Sequence, residues 1–324
     1  MPGLSKGIFS EKEKRMKTYN IGAQSIPPEA KGAVVVIGNF DGVHKGHQVL
    51  LNRAKECAAS LGKPLAVLTF EPHPRELFRP DEPPCRITPK SLKAERLKKE
   101  GVGHLFYKTF DWDFASLSAQ GFIDTVLQKE LAAGHVIVGF DFRFGQMRSG
   151  TPKMIESAGI PVTVIEEIKQ EKGDEISSSR IRQHLRRGEI GAANALLGWE
   201  WEVRGEIVRG DRRGRELGYP TANMALGETL HPAYGVYAAF ARLEGEEQWH
   251  PAAVNIGIRP MFKVPTAQVE TFIFDFDREI YGQTLHVRPV TRLRSEAKFA
   301  NVQDLIVQME KDCAQARDIL NVRK

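Results

Sequence analysis

Residues 38–47 read Gly38-Asn39-Phe40-Asp41-Gly42-Val43-His44-Lys45-Gly46-His47 and run directly into a segment with helical spacing. Glycines let a backbone approach a ligand closely, and a helix start offers unpaired N–H groups to an anion. His44 and His47, three positions apart at that helix start, lie on the same side, and both imidazoles can donate to phosphate oxygens. No GK[ST] follows, so this is not a Walker A loop, and the glycines do not make a dinucleotide GxGxxG. The chemistry such a string supports is charge stabilisation at a phosphate without a covalent intermediate. Zinc binding is the other use of two histidines at this spacing, but no Cys or His cluster supplies the remaining ligands.

A second stretch, residues 210–223, reads Gly210-Asp211-Arg212-Arg213-Gly214-Arg215-Glu216-Leu217-Gly218-Tyr219-Pro220-Thr221-Ala222-Asn223. Glycines every four residues (Gly210, Gly214, Gly218) with three arginines between them suit a loop that wraps phosphates. Thr221 and Asn223 alternate with Ala222, so an extended backbone points both side chains to one face. A hydroxyl and an amide oxygen are hard ligands suited to Mg²⁺. A Gly/Arg surface hairpin leading into an edge strand fits the same residues equally well. Glu270, in a strand-like run further on, is by type alone only a carboxylate, and most carboxylates on strands are solvated.

The elements that must hold these residues change character midway. Residues 33–167 alternate apolar strands (Ala33–Ile37, Leu65–Phe70, Leu105–Lys108, His135–Val138, Val162–Ile165) with helical segments. Gly46–Leu61 carries Leu50, Ala54, Cys57, Ala58 and Leu61 at three- and four-residue spacing, and Gly62 and Pro64 stop it. Thr88-Pro89 and Thr151-Pro152 each read as a capping threonine followed by a helix-opening proline, and Ser118–Leu131 reads as one helix. Such alternation predicts a parallel sheet covered on both faces. Beyond Gly198, strand-like runs at Trp201–Val208, Gly235–Leu243, Trp249–Ile256, Val269–Phe276 and Thr284–Leu293 predict an antiparallel barrel or sandwich. Leu185–Gly198 reads as a helical connector. A last helix, capped by Asn301 with Asp304 near its third position, lines Leu305, Met309, Cys313, Ala316 and Leu320 along one face.

At 324 residues the chain is long for one domain, and 41% hydrophobic with 27% charged residues fits a soluble globular protein. Three scattered cysteines (Cys57, Cys85, Cys313) make neither a disulfide framework nor a zinc knuckle, so a reducing cytoplasm is the expected compartment. No apolar run approaches the roughly 20 residues of a membrane helix. The first 17 residues have no apolar core, so no signal peptide is expected; residues 1–15 read as a solvated extension before Met16. The net charge of +5 is spread along the chain without interleaved aromatics, so neither a nucleic-acid groove nor a membrane partner is expected, and nothing sets an oligomeric state.

The residue string 38–47 resembles the HxGH signature of nucleotidyltransferases, in the form found in bacterial FAD synthetases. Thr69-Phe70-Glu71-Pro72-His73-Pro74-Arg75-Glu76, Gly139-Phe140-Asp141-Phe142-Arg143-Phe144-Gly145 and Ile176-Ser177-Ser178-Ser179-Arg180-Ile181-Arg182 extend the likeness. The resemblance implies that His44 and His47, with Gly38, Asn39, Phe40, Asp41 and Gly42, hold ATP and stabilise the transition state at its α-phosphorus. It implies that Ser177, Ser178 and Arg180 bind the ATP phosphates, and that Glu71, Pro72, His73, Asp141 and Phe142 shape a flavin site. The later half resembles riboflavin kinase through Gly218-Tyr219-Pro220-Thr221-Ala222-Asn223, Gly235-Val236-Tyr237, Val254-Asn255-Ile256-Gly257-Ile258-Arg259-Pro260 and Val269-Glu270-Thr271. That implies Mg²⁺-ATP on Thr221 and Asn223 beside the Gly210, Gly214 and Gly218 loop, with Glu270 as general base for the riboflavin 5′-hydroxyl. Ser179, Met261 and Phe272 depart from the usual residues of the two families, at positions without an assigned chemical role.

The fold implied is a Rossmann-like nucleotidyltransferase domain with a parallel sheet over residues 16–187, a helical linker over 188–198, and a Greek-key riboflavin-kinase-type β-barrel with a terminal helix over 199–324. The activities implied convert riboflavin to FMN and FMN to FAD, each with ATP. A flavin-sensing regulator with dead sites is the rival, favoured had Glu270, Asn223, His44 or His47 been replaced; all four are present. A chain with only one live activity is a second rival, which intact motifs do not exclude.

Overall fold

The computed structural model of the protein describes residues 16–166, 176–210, 217–259 and 266–321. Gly214, the three loop arginines and Met261 therefore lie outside the described residues. The chain packs as two compact units, one from residues up to 81 together with 88–175, the other from 82–87 together with residues from 176 onward.

The first unit is built on β1 (Lys17–Ile21), β2 (Val34–Ile37), β3 (Leu65–Glu71), β4 (His104–Thr109), β5 (His135–Gly139) and β6 (Val162–Ile165). They form one parallel sheet in the order β1-β4-β3-β2-β5-β6. The central strand β2, Val-Val-Val-Ile, is buried throughout, as a parallel strand covered on both faces must be. Val34 and Val36 turn toward Leu50, Leu51 and Ala54 of helix α1 (Lys45–Leu61). Val35 and Ile37 turn the other way, toward Ile123, Val126 and Leu127. Gly62 ends α1 at φ 62°, a left-handed cap that glycine adopts without strain.

Short helices α2 (Pro74–Phe78), α3 (Lys90–Lys99) and α4 (Trp112–Ala115) follow β3 and β4. The single helix expected over Ser118–Leu131 is α5 (Ala119–Phe122), capped by the Ser118 hydroxyl, followed by a wider π-helical run over Ile123–Glu130. Helix α6 (Pro152–Ser157) starts after Thr151, whose side chain makes no capping bond. Strand β1 was not expected. Its sequence, Lys-Thr-Tyr-Asn-Ile, buries only Ile21, so an edge strand held by pairing to β4 shows almost no apolar alternation.

In the second unit, α8 (Ile190–Leu197) stands in the expected connector region and α7 (Ser178–Arg187) largely precedes it; together they pack Ile181, Leu185, Ala193 and Leu197 into the core. The strands are β7 (Val203–Glu206), β8 (Ala222–Ala225), β9 (Gly235–Leu243), β10 (His250–Arg259), β11 (Thr266–Ile273) and β12 (Thr284–Arg294). Their antiparallel order is β7-β12-β9-β10-β11-β8. A bridge between Val208 and Asn223 brings β8 back to the chain leaving β7, closing a six-stranded barrel with Greek-key connectivity. Alternation sorts the residues: Ala239, Val254, Val269 and Val287 fill one side, while Ala238, Ala253 and Val290 face outward. Helix α9 (Val302–Asn321) lies on that outer side through Ala316 and Leu320. Asn301 and Asp304 cap it reciprocally, the Asp304 N–H donating to the Asn301 Oδ1 at 2.9 Å and the Asn301 amide to the Asp304 Oδ2 at 3.0 Å. Among the described residues no helix is long and apolar enough to cross a membrane.

Candidate active sites

In the first sheet the chain runs β2, β3, β4 toward one edge and then returns to β5 and β6 on the other side of β2. The point where strand order reverses, at the carboxyl ends of β2 and β5, is where open α/β sheets bind ligands. All three motif segments of this unit lie at that edge: residues 38–47 follow β2, Pro72-His73 follow β3, and Asp141-Phe142 follow β5. The turn after β2 is tight, with Phe40, Gly42 and Val43 at φ 50°, 89° and 38°.

Asp41 and Phe40 are buried parts of this turn. The Asp41 carboxylate accepts from the Thr88 N–H at 3.0 Å and the Thr88 hydroxyl at 3.2 Å, and the same hydroxyl accepts from the Gly42 N–H at 2.9 Å. Thr88, expected as a helix cap, instead ties the turn; the cap position of α3 is Pro89. The Phe40 ring packs on His47 at 5.0 Å.

His44 occupies the cap position of α1, and its Nδ1 accepts from the His47 N–H at 3.3 Å. An accepting Nδ1 puts the proton of the neutral ring on Nε2, which becomes the donor toward a ligand. The two rings stack with centroids 3.7 Å apart and 16° between planes. Burial, then the nearby His44 and the charge of Lys93, push the His47 imidazole well below the usual histidine range, so it is neutral at physiological pH. Its Nδ1 is buried without a hydrogen-bond partner.

Lys93, which the sequence reading did not single out, is buried on α3 at 3% exposure. Its ammonium lies 2.7 Å from a Glu71 carboxylate oxygen and is hydrogen-bonded to the Thr69 hydroxyl at 3.4 Å and the Asn39 carbonyl at 3.5 Å. Thr69 in turn donates to the Asn39 carbonyl at 3.1 Å. The available signal was its spacing: Lys93 and Leu97 are four apart and share the buried face of a helix otherwise crowded with surface lysines.

His73 caps α2 with its Nδ1 accepting from the Arg75 N–H at 3.2 Å. A band of rings (Phe70, Phe110, Phe114, Phe122, Phe144, Phe142) runs beside these segments at centroid separations of 5.1–6.0 Å. Such a band offers a planar aromatic ligand a face to stack on. Ser177, Ser178 and Arg180 belong by packing to the second unit. There Ser177 caps α7, accepting from the Arg180 N–H at 3.4 Å, and a cleft is lined by Ser177, Ser179, Arg180, Gln183, Arg186 and Arg187. A helix start among arginines is an anion site by construction.

The barrel gathers the other set. Glu270 on β11 stands directly opposite Asn223 on β8 and Asn255 on β10, so the three side chains share one face across three strands. The Asn223 amide donates to the Thr221 carbonyl at 3.0 Å and its hydroxyl at 3.5 Å, which keeps these two residues together as alternation requires. Gly210 closes over them: a Cβ built there meets the Asn223 Nδ2 at 2.8 Å. Gly218 turns at φ 85°. Phe272 packs edge-on against Tyr219 at 5.2 Å, so this departure contributes packing to the Gly218–Asn223 segment. Asn255 lay in a quoted motif without a role; only the register reveals that it joins Glu270. Among the described residues no group of three or more His, Cys, Asp and Glu could hold a metal. The Thr221 hydroxyl and Asn223 amide oxygen do fit Mg²⁺ arriving with nucleotide phosphates, since that ion needs few protein ligands.

A sheet with paired imidazoles at its switch point, followed by a six-stranded barrel with a carboxylate facing a Thr/Asn pair, defines a two-unit phosphate-transfer protein. The FAD synthetase family matches residues 26–180 and the riboflavin kinase family residues 197–320. A bifunctional riboflavin kinase/FMN adenylyltransferase of Bacillus subtilis is 38% identical over 310 residues, covering 92% of this chain and 96% of that one. The protein of the same description from Escherichia coli is 37% identical over 297 residues, covering 91% and 95%. A crystal structure named as a macrolide-efflux protein from Streptococcus pneumoniae superposes with a TM-score of 0.81 at 35% identity, covering 93% and 98%. The chain belongs to the bifunctional riboflavin kinase/FMN adenylyltransferase family.

Proposed function

We propose that the chain makes FMN from riboflavin in its barrel and FAD from FMN in its sheet unit, consuming one ATP at each step. The observation that carries this reading is that each unit holds its own complete set of phosphate-directed groups: the stacked His44–His47 pair in one, Glu270 opposite Asn223 in the other. In the barrel Glu270 takes the proton from the terminal ribityl hydroxyl as its oxygen attacks the γ-phosphorus of ATP, and ADP leaves. Thr221 and Asn223 hold the nucleotide-bound Mg²⁺, which when bound neutralises charge on the phosphates. Gly210 and Gly218 allow the backbone close to them.

In the sheet unit an oxygen of the FMN phosphate attacks the α-phosphorus of ATP in line, and pyrophosphate leaves. No protein nucleophile takes part. The Nε2–H of His44 and the neutral His47 ring donate to phosphate oxygens, and the Gly38–Gly42 turn supplies the backbone cradle. Ser177, Ser178 and Arg180, at a helix start of the second unit, suit nucleotide phosphates. Glu71, Pro72, His73, Asp141 and Phe142 border the flavin beside the aromatic band. Free cysteines and substrates of central metabolism suit a cytoplasmic protein.

Position-labelled ATP tests the assignment. With riboflavin and Mg²⁺, label in the γ-phosphate is expected in FMN, and label in the α-phosphate in FAD but never in FMN. Absence of α-label from the FAD formed, or of γ-label from FMN, overturns it.

A further inference from the structure

We propose that Lys93 is a positioning residue for adenylyl transfer: its ammonium holds the Gly38–Gly42 turn against the end of β3 and sets a fixed positive charge beside the His44–His47 pair. The inference rests on the reading of the first unit as the adenylyl-transfer unit. A lysine is rarely buried this deeply unless it is paired, and Lys93 is paired with Glu71 while reaching two further acceptors on two different segments. Those segments, Asn39 after β2 and Thr69–Glu71 at the end of β3, lie at the carboxyl edge of two neighbouring strands, beside the switch point between β2 and β5. One ammonium therefore ties the turn to the end of β3 and keeps a desolvated positive charge there, where charge acts most strongly.

The same placement sets the state of the imidazoles. The charged and titratable groups that act on His47 are His44 from the preceding turn and Lys93 from α3, itself paired with Glu71 of β3; Lys45 on α1 is exposed. The Lys93 charge opposes protonation of His47, so the ring meets ATP as a neutral donor.

The test compares Lys93→Met, which keeps the apolar stem, with Lys93→Arg, which keeps the charge. For Lys93→Met, FMN-to-FAD turnover is expected to fall about a hundredfold, the loss that misplacement of catalytic groups produces. FMN formation from riboflavin stays unchanged, and the His47 titration midpoint read by NMR moves upward toward that of a free imidazole. Lys93→Arg is expected to recover part of the turnover and the low midpoint. Should the Met variant be unstable, Lys93→Met with Glu71→Gln removes the uncompensated carboxylate and keeps the NMR readout. Turnover within about twofold of the parent, or loss of turnover with an unmoved midpoint and no recovery by Arg, overturns the role of Lys93. Failure of the parent chain itself to make FAD overturns the underlying reading instead.

Discussion

Asn223 sits where three residues meet: its amide bonds Thr221, its register partner is Glu270, and the Gly210 backbone lies against it. A methyl group at Gly210 falls 2.8 Å from the amide nitrogen, too close without moving the Asn223 side chain. Gly210→Ala is therefore expected to lower kcat/KM for FMN formation by roughly 10- to 100-fold, as sub-ångström misplacement of catalytic groups does. FAD formation from FMN should be untouched, and steady-state assays of the two steps check this. At this scale the sequence was legible where spacing says which side chains meet, as for His44 with His47 and Thr221 with Asn223. It was silent where the chemistry comes from burial. Lys93 reads as one surface lysine among several, and Thr88 as a helix cap, because their partners Glu71, Asn39 and Asp41 come from other segments.

Among the elements, α9 shows how a polar residue enters an apolar stripe. The heptad-like face was expected to centre on Leu305, Met309, Cys313, Ala316 and Leu320, whereas the fully buried residues are Asp312, Ala316 and Leu320, spaced four apart. Asp312 accepts three guanidinium bonds from Arg294 of β12, at 2.9, 3.0 and 2.7 Å, and one from the Gln308 amide at 2.9 Å. Removing one partner leaves a buried charge uncompensated, tempered here because Arg294 retains some solvent access. Asp312→Asn is expected to destabilise the second unit by about 2 kcal/mol, read by chemical denaturation. Element positions with strong apolar periods were legible, including five of the six strands of the first sheet and the reciprocal cap at Asn301. Strand β1 was not, since its pairing to β4 rather than its composition makes it a strand.

For the whole molecule, the two units are expected to respond differently to acid. In the first unit His47, His104 and His135 are all pushed below the ordinary histidine value of 6.5, chiefly by burial. The unfolded chain binds protons that the folded unit refuses, so this stability is fully present above about pH 6.5 and is lost progressively as pH falls below it. The second unit has one such histidine, His231. Burial would raise its Glu202 carboxyl, but the His286 hydrogen bond and the charges of Arg204 and Arg288 outweigh that and hold it well below the ordinary carboxylate value of 4.5. That contribution persists down to about pH 4.5 and is lost only below it. Calorimetry at pH 7.5 and 5.5 should show the transition of the first unit falling further than that of the second; equal falls would contradict the assignment of the buried histidines.

Two separate ATP sites in one chain make a sharper demand. Glu270→Gln is expected to convert FMN to FAD but leave riboflavin unchanged, and His44→Ala with His47→Ala to stop at FMN. Mixed in one vessel with riboflavin, ATP and Mg²⁺, the two defective proteins should together accumulate FAD, because FMN released by one is substrate for the other. A mixture that makes no FAD, although each variant retains its own remaining step, would contradict two independent sites joined by a diffusible product.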